Sequence, residues 1–234
     1  MRKGDQTRQL IVRTAEELFC ARGFEATSVQ DILDVIHGSK GGFYHHFVSK
    51  EDLLSVICRE RAADAAKRAE ARLNPQQTPL ERLNHLFRTM LPFSEDDLTF
   101  MSMLMPLLDR PGCAAVRVRY QDALSEAWRP LLTSCLAEAR ASEMVWPVDS
   151  GILSPLLALV NSFWYEACLL FLGRAQDDQR LEPSALLALL TAYRRSIEAL
   201  LEAPYGSIEL ISLEALAAFT DQVWQRMSLM KHDP

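Results

Sequence analysis

The sequence predicts an all-α fold, with a small N-terminal unit joined by one long helix to a larger helical bundle. Three observations carry this. Apolar residues recur at helical spacing along the chain, and no long stretch alternates with period two. Capping residues stand just before the periodic segments. Gly and Pro fall between those segments and seldom within them.

The first helix carries Ile11, Val12, Ala15, Leu18 and Phe19 as one stripe, and Gly23 is placed to end it in the left-handed conformation. "TSVQDILDVI" then opens with two overlapping capping signatures, Thr27-x-x-Gln30 and Ser28-x-x-Asp31. Its apolar face is Val29, Ile32, Leu33 and Ile36, and it lasts only to "HGS". From Ser49 the chain runs without a breaker to Leu73, apolar at first and charged later, as a strut between two parts would be. After the loop "NPQQTP", helices are expected near 79–91, 95–109, 112–141, 152–172, 183–203 and 207–230. The expected breaks are Pro92, Pro111-Gly112, Trp146-Pro147, Gly173 and Pro204. Residues 1–50 thus form one unit, 49–73 the connecting helix, and 74–234 a bundle.

Composition narrows the function. The chain has 234 residues, half of them apolar and a quarter charged, with net charge −6. Residues 1–50 hold seven Lys/Arg against six Asp/Glu, and the remainder 18 against 25, so the acid sits in the bundle. The smaller part is left free to meet an anion. Five scattered cysteines with no CxxC pair read as reduced, mostly buried thiols of a cytoplasmic protein. The N-terminus has no apolar run suited to a secretory signal. "ILSPLLALVNSFWYEACLLFL" (152–172) is long enough to span a bilayer, but Pro155, Asn161 and Glu166 within it favour a helix buried in a bundle or dimer. No membrane partner is expected.

The densest chemistry is "HGSKGGFYHHF" at 37–47. Adjacent His45 and His46 point about 100° apart on a helix and have no third ligand at metal spacing, so no metal is assigned. No strand precedes the glycines and no GxxxxGK[ST] is present, so a phosphate loop is discarded. No cofactor is implied. Phe43 and Phe47, at i and i+4, should plug the N-terminal core against Ile32 and Leu18. Gly41-Gly42 then needs a reason, because each glycine in a helix costs about 1 kcal/mol relative to alanine. A helix pressed into a DNA major groove supplies one, since missing side chains let backbone approach base edges. Lys40 would donate to guanine or phosphate, Tyr44 and His45 would meet the backbone rails, and Ser39 would cap the helix. The arrangement is a helix-turn-helix.

"TRQLIVRTAEELFCARGFEATSVQDILDVIHGSKGGFYHHFVSKEDLLSVI" resembles the DNA-binding domain of the tetracycline-repressor (TetR) family of bacterial transcriptional regulators. The resemblance covers about residues 7–58. It implies a homodimer that binds a double-stranded, palindromic operator and releases it when a small molecule enters the C-terminal bundle. It places DNA contacts at Ser28, Gln30 and Ser39, at Lys40 to His45 including Gly41, Gly42 and Tyr44, and at the phosphate-contacting Lys50. Two positions depart from the family pattern. His37-Gly38 stands where glycine and an apolar residue are usual, although His tolerates the left-handed region. Gly42 replaces a larger side chain.

In the bundle, 152–172 and 183–203 are the expected dimer helices, the latter through Leu186, Leu190, Tyr193, Ile197 and Leu200. The expected pocket for a small apolar or amphipathic effector uses Phe100, Met101, Met103 and Met105 of "LTFMSMLMPLL", with Trp128, Trp164 and Glu166. Glu166, costly in so apolar a run, should pair with a cation such as Arg129 or with a cationic guest. A helical enzyme or a membrane-associated scaffold is the alternative. The enzyme lacks a Ser/His/Asp or metal constellation, and the scaffold rests on 152–172 alone.

Overall fold

The computed structural model describes residues 3–90, 95–108, 114–145, 150–176, 179, 181–211 and 213–232. The side chains of 3, 95–98, 106, 108, 114, 150, 164, 174–176, 213 and 226–232 lie outside that description. The described residues form ten α-helices and no strand. They are α1 (Lys3–Arg22), α2 (Val29–Ile36), α3 (Lys40–His46), α4 (Lys50–Ala71), α5 (Pro79–Met90), α6 (Glu95–Leu108), α7 (Ala114–Ala141), α8 (Leu153–Gln176), α9 (Pro183–Leu200) and α10 (Leu213–His232).

The first unit packs as its apolar spacing requires. Ile11, Val12, Ala15 and Phe19 of α1 are buried with Ile32, Leu33, Phe43 and Phe47. Gly23 ends α1 at φ +86°, and its amide closes on the Phe19 carbonyl at 2.9 Å. One of the two capping signatures is real. Ser28 and Asp31 form a capping box, whereas Thr27 is fully buried and donates its hydroxyl to the Gly23 carbonyl at 2.9 Å. Gln30, freed from the expected box, donates to Asp34 at 2.7 Å. The wrong signature failed because Thr27 is still in the turn that α1 feeds.

The connecting α4 touches both parts, as a strut must. It packs on α1 at one side and on α5 and α7 at the other. Its later, charged half still buries Ala62, Ala66 and Ala69, small residues that let α7 lie close. Cys58 and Cys168 are fully buried and Cys135 is buried; burial pushes the Cys58 thiol up to about 12, with the nearby Glu16 charge adding to it. Cys20, Cys58, Cys135 and Cys168 are free, and Cys113 lies outside the described residues.

Two expected boundaries move. Gly173 does not end α8, which continues to Gln176. The last helix starts at Leu213, not at 207. Residues 207–211 instead form a strap, because buried Asn84 and Glu198 hold its backbone. The Asn84 amide donates to the Ser207 carbonyl (2.8 Å) and accepts from the Glu209 amide (3.0 Å), and the Glu198 carboxylate accepts from Gly206 (2.9 Å) and Ile208 (3.3 Å). Side chains from two other helices thus hold both a carbonyl and amides of this segment, in place of an i→i+4 ladder. The expected breaks at Pro92, Pro111-Gly112 and Trp146-Pro147 lie outside the described residues.

Candidate nucleic-acid interface and inner pocket

Ser39 begins α3 by accepting the Gly42 amide at 3.1 Å, and Phe43 and Phe47 anchor the helix, both fully buried with ring centroids 5.6 Å apart. That anchoring fixes which face looks outward. Lys40, Gly41 and His45 are exposed, Gly42 is half-exposed, and Tyr44 is 57% exposed with its ring edge-on to Phe43. A Cβ at Gly41 would meet nothing within 4 Å, and one at Gly42 would meet only the Ser39 hydroxyl, at 3.3 Å. The chain's own packing therefore gives no reason for bare backbone at Gly41.

The turn before α3 is tight. His37 ends α2 at φ 51°, and the amides of His37 and Gly38 both close on the Leu33 carbonyl. A Cβ at Gly38 would come within 2.9 Å of Leu33 Cδ2 and 3.1 Å of Ile36. The unusual His-Gly pair thus satisfies the backbone, with His in the left-handed position and Gly in the crowded one.

Ser28 and Gln30 are exposed on the α2 edge beside this face. Both are already engaged within the chain: Ser28 with Asp31, and Gln30 with Asp34. Hydrogen bonds from the Ser28 hydroxyl and amide hold the Asp31 carboxyl below its ordinary range. Lys50 is more committed than its expected role suggested. Its ammonium donates to the carbonyls of Phe24 (2.8 Å) and Thr27 (2.9 Å) and sits 4.2 Å from the Phe24 ring centroid. It pins the α1–α2 turn to the start of α4 and keeps one N–H to spare. Nothing in its spacing indicated those inward bonds.

The second site lies between α4, α5, α6 and α7. A cavity of about 40 Å³ there is lined by Arg61, Thr89, Phe100, Met101, Tyr120 and Trp128, among others. Of the expected pocket residues it gathers Phe100, Met101 and Trp128. Met103 and Met105 are buried in the core but do not line it. The Trp164 side chain lies outside the described residues. Glu166 sits elsewhere: exposed on α8, it accepts the Tyr193 hydroxyl of α9 at 3.0 Å and does not pair with Arg129. Burial first, and then this carboxylate, push Tyr193 up to about 12. Glu166 escapes the cost of burial by facing out. Arg61, which the sequence gave no reason to single out, ties this cavity to α1, because its guanidinium lies over the Phe100 ring (5.1 Å) and pairs with Glu16.

With this geometry in view, the comparisons are direct. Residues 11–57 match the model of the bacterial regulatory proteins of the tetR family. The N-terminal unit is thus similar to the DNA-binding domain of that family. Among characterised relatives the chain is similar to the HTH-type transcriptional regulator TcmR of Streptomyces glaucescens, 30% identical over 131 residues, 53% of this chain and 57% of that protein. It is also similar to the HTH-type transcriptional repressor KstR2 of Mycolicibacterium smegmatis, 35% identical over 80 residues, 34% of this chain and 39% of the relative. The chain therefore spans about half the length, or less, of these relatives. In overall fold it is similar to the crystal structure of RolR in complex with resorcinol, with TM-score 0.59 and 16% identity over 93% of this chain and 94% of RolR. The tetR match ends early in α4, and the likeness to RolR is one of fold alone.

Proposed function

We propose that the protein is a DNA-binding transcriptional regulator of the tetR type: a repressor that holds a palindromic operator as a homodimer and releases it when a small apolar or amphipathic effector enters the bundle. The observation that carries this is α3. It is anchored by two buried phenylalanines and turns outward a face of Lys40, Gly41, Gly42, Tyr44 and His45. Open space at the Gly41 Cβ leaves an external surface as the reason for the glycine. Ser28, Gln30 and Ser39 border the same face, and the remaining Lys50 N–H is the one left for a phosphate.

Dimerisation is supported by α8. Over Leu153–Gly173 its mean hydropathy is 1.6, enough to cross a membrane by length and composition, yet only 35% of it is buried within the chain. The α9 stripe expected at the interface lies largely in the chain's own core, with Leu186, Leu190 and Ile197 buried; the outward residues include Ala158 and Ser162 of α8 and Ala188 and Ala192 of α9, so two adjacent helices offer small side chains to a close partner. A second copy fits this better than lipid does. Half-buried Asn161 bonds Ser125 of α7 (3.0 Å), and α8 also packs on α9 and α10. The free thiols fit a reducing cytoplasm. A regulator of this kind performs no chemistry on its ligand. The test is selection of bound fragments from native genomic DNA. The expected result is a two-fold symmetric motif, with binding lost in Lys40→Ala and weakening as salt rises. Recovery of random fragments, or unchanged affinity in Lys40→Ala, would overturn the reading.

A further inference from the structure

The cavity between α4 and α7 carries an unexplained donor. Trp128 is 1% exposed, and its indole N–H has no hydrogen-bond partner. Buried polar groups of this kind are nearly always satisfied, so an empty partner position calls for an explanation. The polar groups around it do not supply an acceptor. Neither lining hydroxyl bonds the indole: Thr89 donates to the His85 and Leu86 carbonyls, and the Tyr120 hydroxyl has the Met101 sulfur at 3.8 Å among its neighbours. The other walls are apolar, with Phe100 and Met101 foremost. Arg61 adds a guanidinium to the same cavity, and its outer partner is Glu16 of α1.

Two donor-bearing side chains, Trp128 and Arg61, line an otherwise largely apolar chamber and would select an acceptor-bearing guest. The charge of Arg61 selects further. A neutral acceptor could meet the indole but could not compete with Glu16 for the guanidinium, whereas a carboxylate could do both. The Glu16–Arg61 pair is about a quarter exposed on each side, so water and a competing anion can reach it. Breaking it removes one of the polar links between α1 and α4, which also include Arg8 to Glu60 (3.2 Å) and Gln9 to Glu60 (3.3 Å).

We infer that this cavity admits a compact apolar monocarboxylate whose head group takes the Trp128 N–H and draws Arg61 from Glu16, loosening α1 from α4. The inference rests on the reading of the chain as an effector-controlled regulator and names the effector's class and the first movement of its release. At about 40 Å³ the cavity holds little more than a water, so the guest selects an enlarged conformation. Met90 and Met101 are the flexible walls that can yield.

The test uses the full-length protein without DNA, so that its outcome is separate from that of the fragment selection. Two probes, 3-phenylpropanoate and octanoate, are titrated beside their primary amides while the indole N–H resonances are followed. The Trp128 signal is assigned with Trp128→Phe. At least one carboxylate should move that resonance, and amide exchange in α1 should quicken in its presence. Arg61→Met should lower carboxylate affinity about tenfold, the scale of a charged hydrogen bond, and leave amide affinity unchanged. Glu16→Gln should raise carboxylate affinity about threefold, because the competing, partly exposed ion pair is gone. Should Arg61→Met fail to fold, Glu16→Gln, at a partly exposed position, still decides. A Trp128 resonance unmoved by both carboxylates, equal binding of acids and amides, or weaker acid binding in Glu16→Gln overturns the inference.

Discussion

Helices α3 and α8 both present to solvent something a lone chain gains nothing from, but of opposite kinds. The seven residues of α3 expose polar donors and bare backbone; the 24 residues of α8 expose apolar surface. A polar face names its partner through chemistry, because donors and missing side chains fit a grooved polyanion. An apolar face names only a partner that is also apolar, and its size, not its residues, carries the information. The two helices therefore call for different experiments, one on affinity for DNA and one on assembly.

The largest effect should come from removing what fixes α3's orientation. Phe43→Ala empties a fully buried ring site and should cost about 3–5 kcal/mol, read as a fall in the unfolding midpoint. A loss under 1 kcal/mol would mean that α3 is not anchored by this core, and the outward face assigned to it would have no basis. Next comes the apolar side of the comparison. Ala158→Arg with Ala192→Arg places charge on outward positions of α8 and α9 that touch no core. The chain should stay folded, become monomeric in sedimentation, and lose about 100-fold in operator affinity because one half-site is left. A doubly substituted protein that remains dimeric moves the interface elsewhere.

A smaller effect with two opposite signs isolates the glycines. Gly41→Ala adds a methyl into open space, so the helix should become more stable by about 1 kcal/mol or slightly less. Operator affinity should fall about tenfold or more, since the methyl stands between backbone and bases. Stability and binding moving in opposite directions is the signature of a residue kept for its partner. If both rise, the bare backbone serves no DNA contact.

The same contrast explains what could be read before any coordinates. The N-terminal unit was legible because short-range rules fix it: Ser28 and Ser39 cap, Gly23 turns, and Phe43 and Phe47 repeat at i, i+4. Even there, two adjacent candidates, Thr27 and Ser28, could not be ranked locally. Long-range packing decided it by burying Thr27 against the end of α1. Lys50 shows the same limit, since its carbonyl partners lie 23 and 26 residues away. In the bundle, helix existence was legible and neighbourhood was not. Phe100 and Trp128 meet at one cavity, but Glu166, chosen for its cost in an apolar run, avoids that cost by facing out. Arg61 was invisible because a charged residue in a charged stretch carries no local signal. The strap at 207–211 was read as helix because its organisers, Asn84 and Glu198, come from two other helices.

The smallest predicted effect asks whether the two regions lose structure together. Each has one carboxylate closing a helix start by the same bonds. Asp31 accepts from the Ser28 amide (2.7 Å) at α2, and Glu81 accepts from the Thr78 amide (2.7 Å) and hydroxyl (2.9 Å) at α5. In both, the hydrogen bonds hold the carboxyl below its ordinary value, 3.8 for Asp31 and 4.5 for Glu81. A folded pKa lower than the unfolded one gives stability that is complete above the unfolded value and fades as pH falls through the folded value. Each cap's charge contribution should therefore be intact at pH 6 and wane below about pH 4, where protons compete with the amides. Asp31→Asn should flatten the acid limb of unfolding followed by a probe in α1–α3, and Glu81→Gln that followed by a probe in α5. If each substitution shifts both probes equally, the α4 strut couples the regions into one cooperative unit, and loosening α1 alone would be too costly for a weak effector to drive. If each shifts only its own probe, the N-terminal unit opens separately from the bundle, and loosening α1 needs no unfolding of α5.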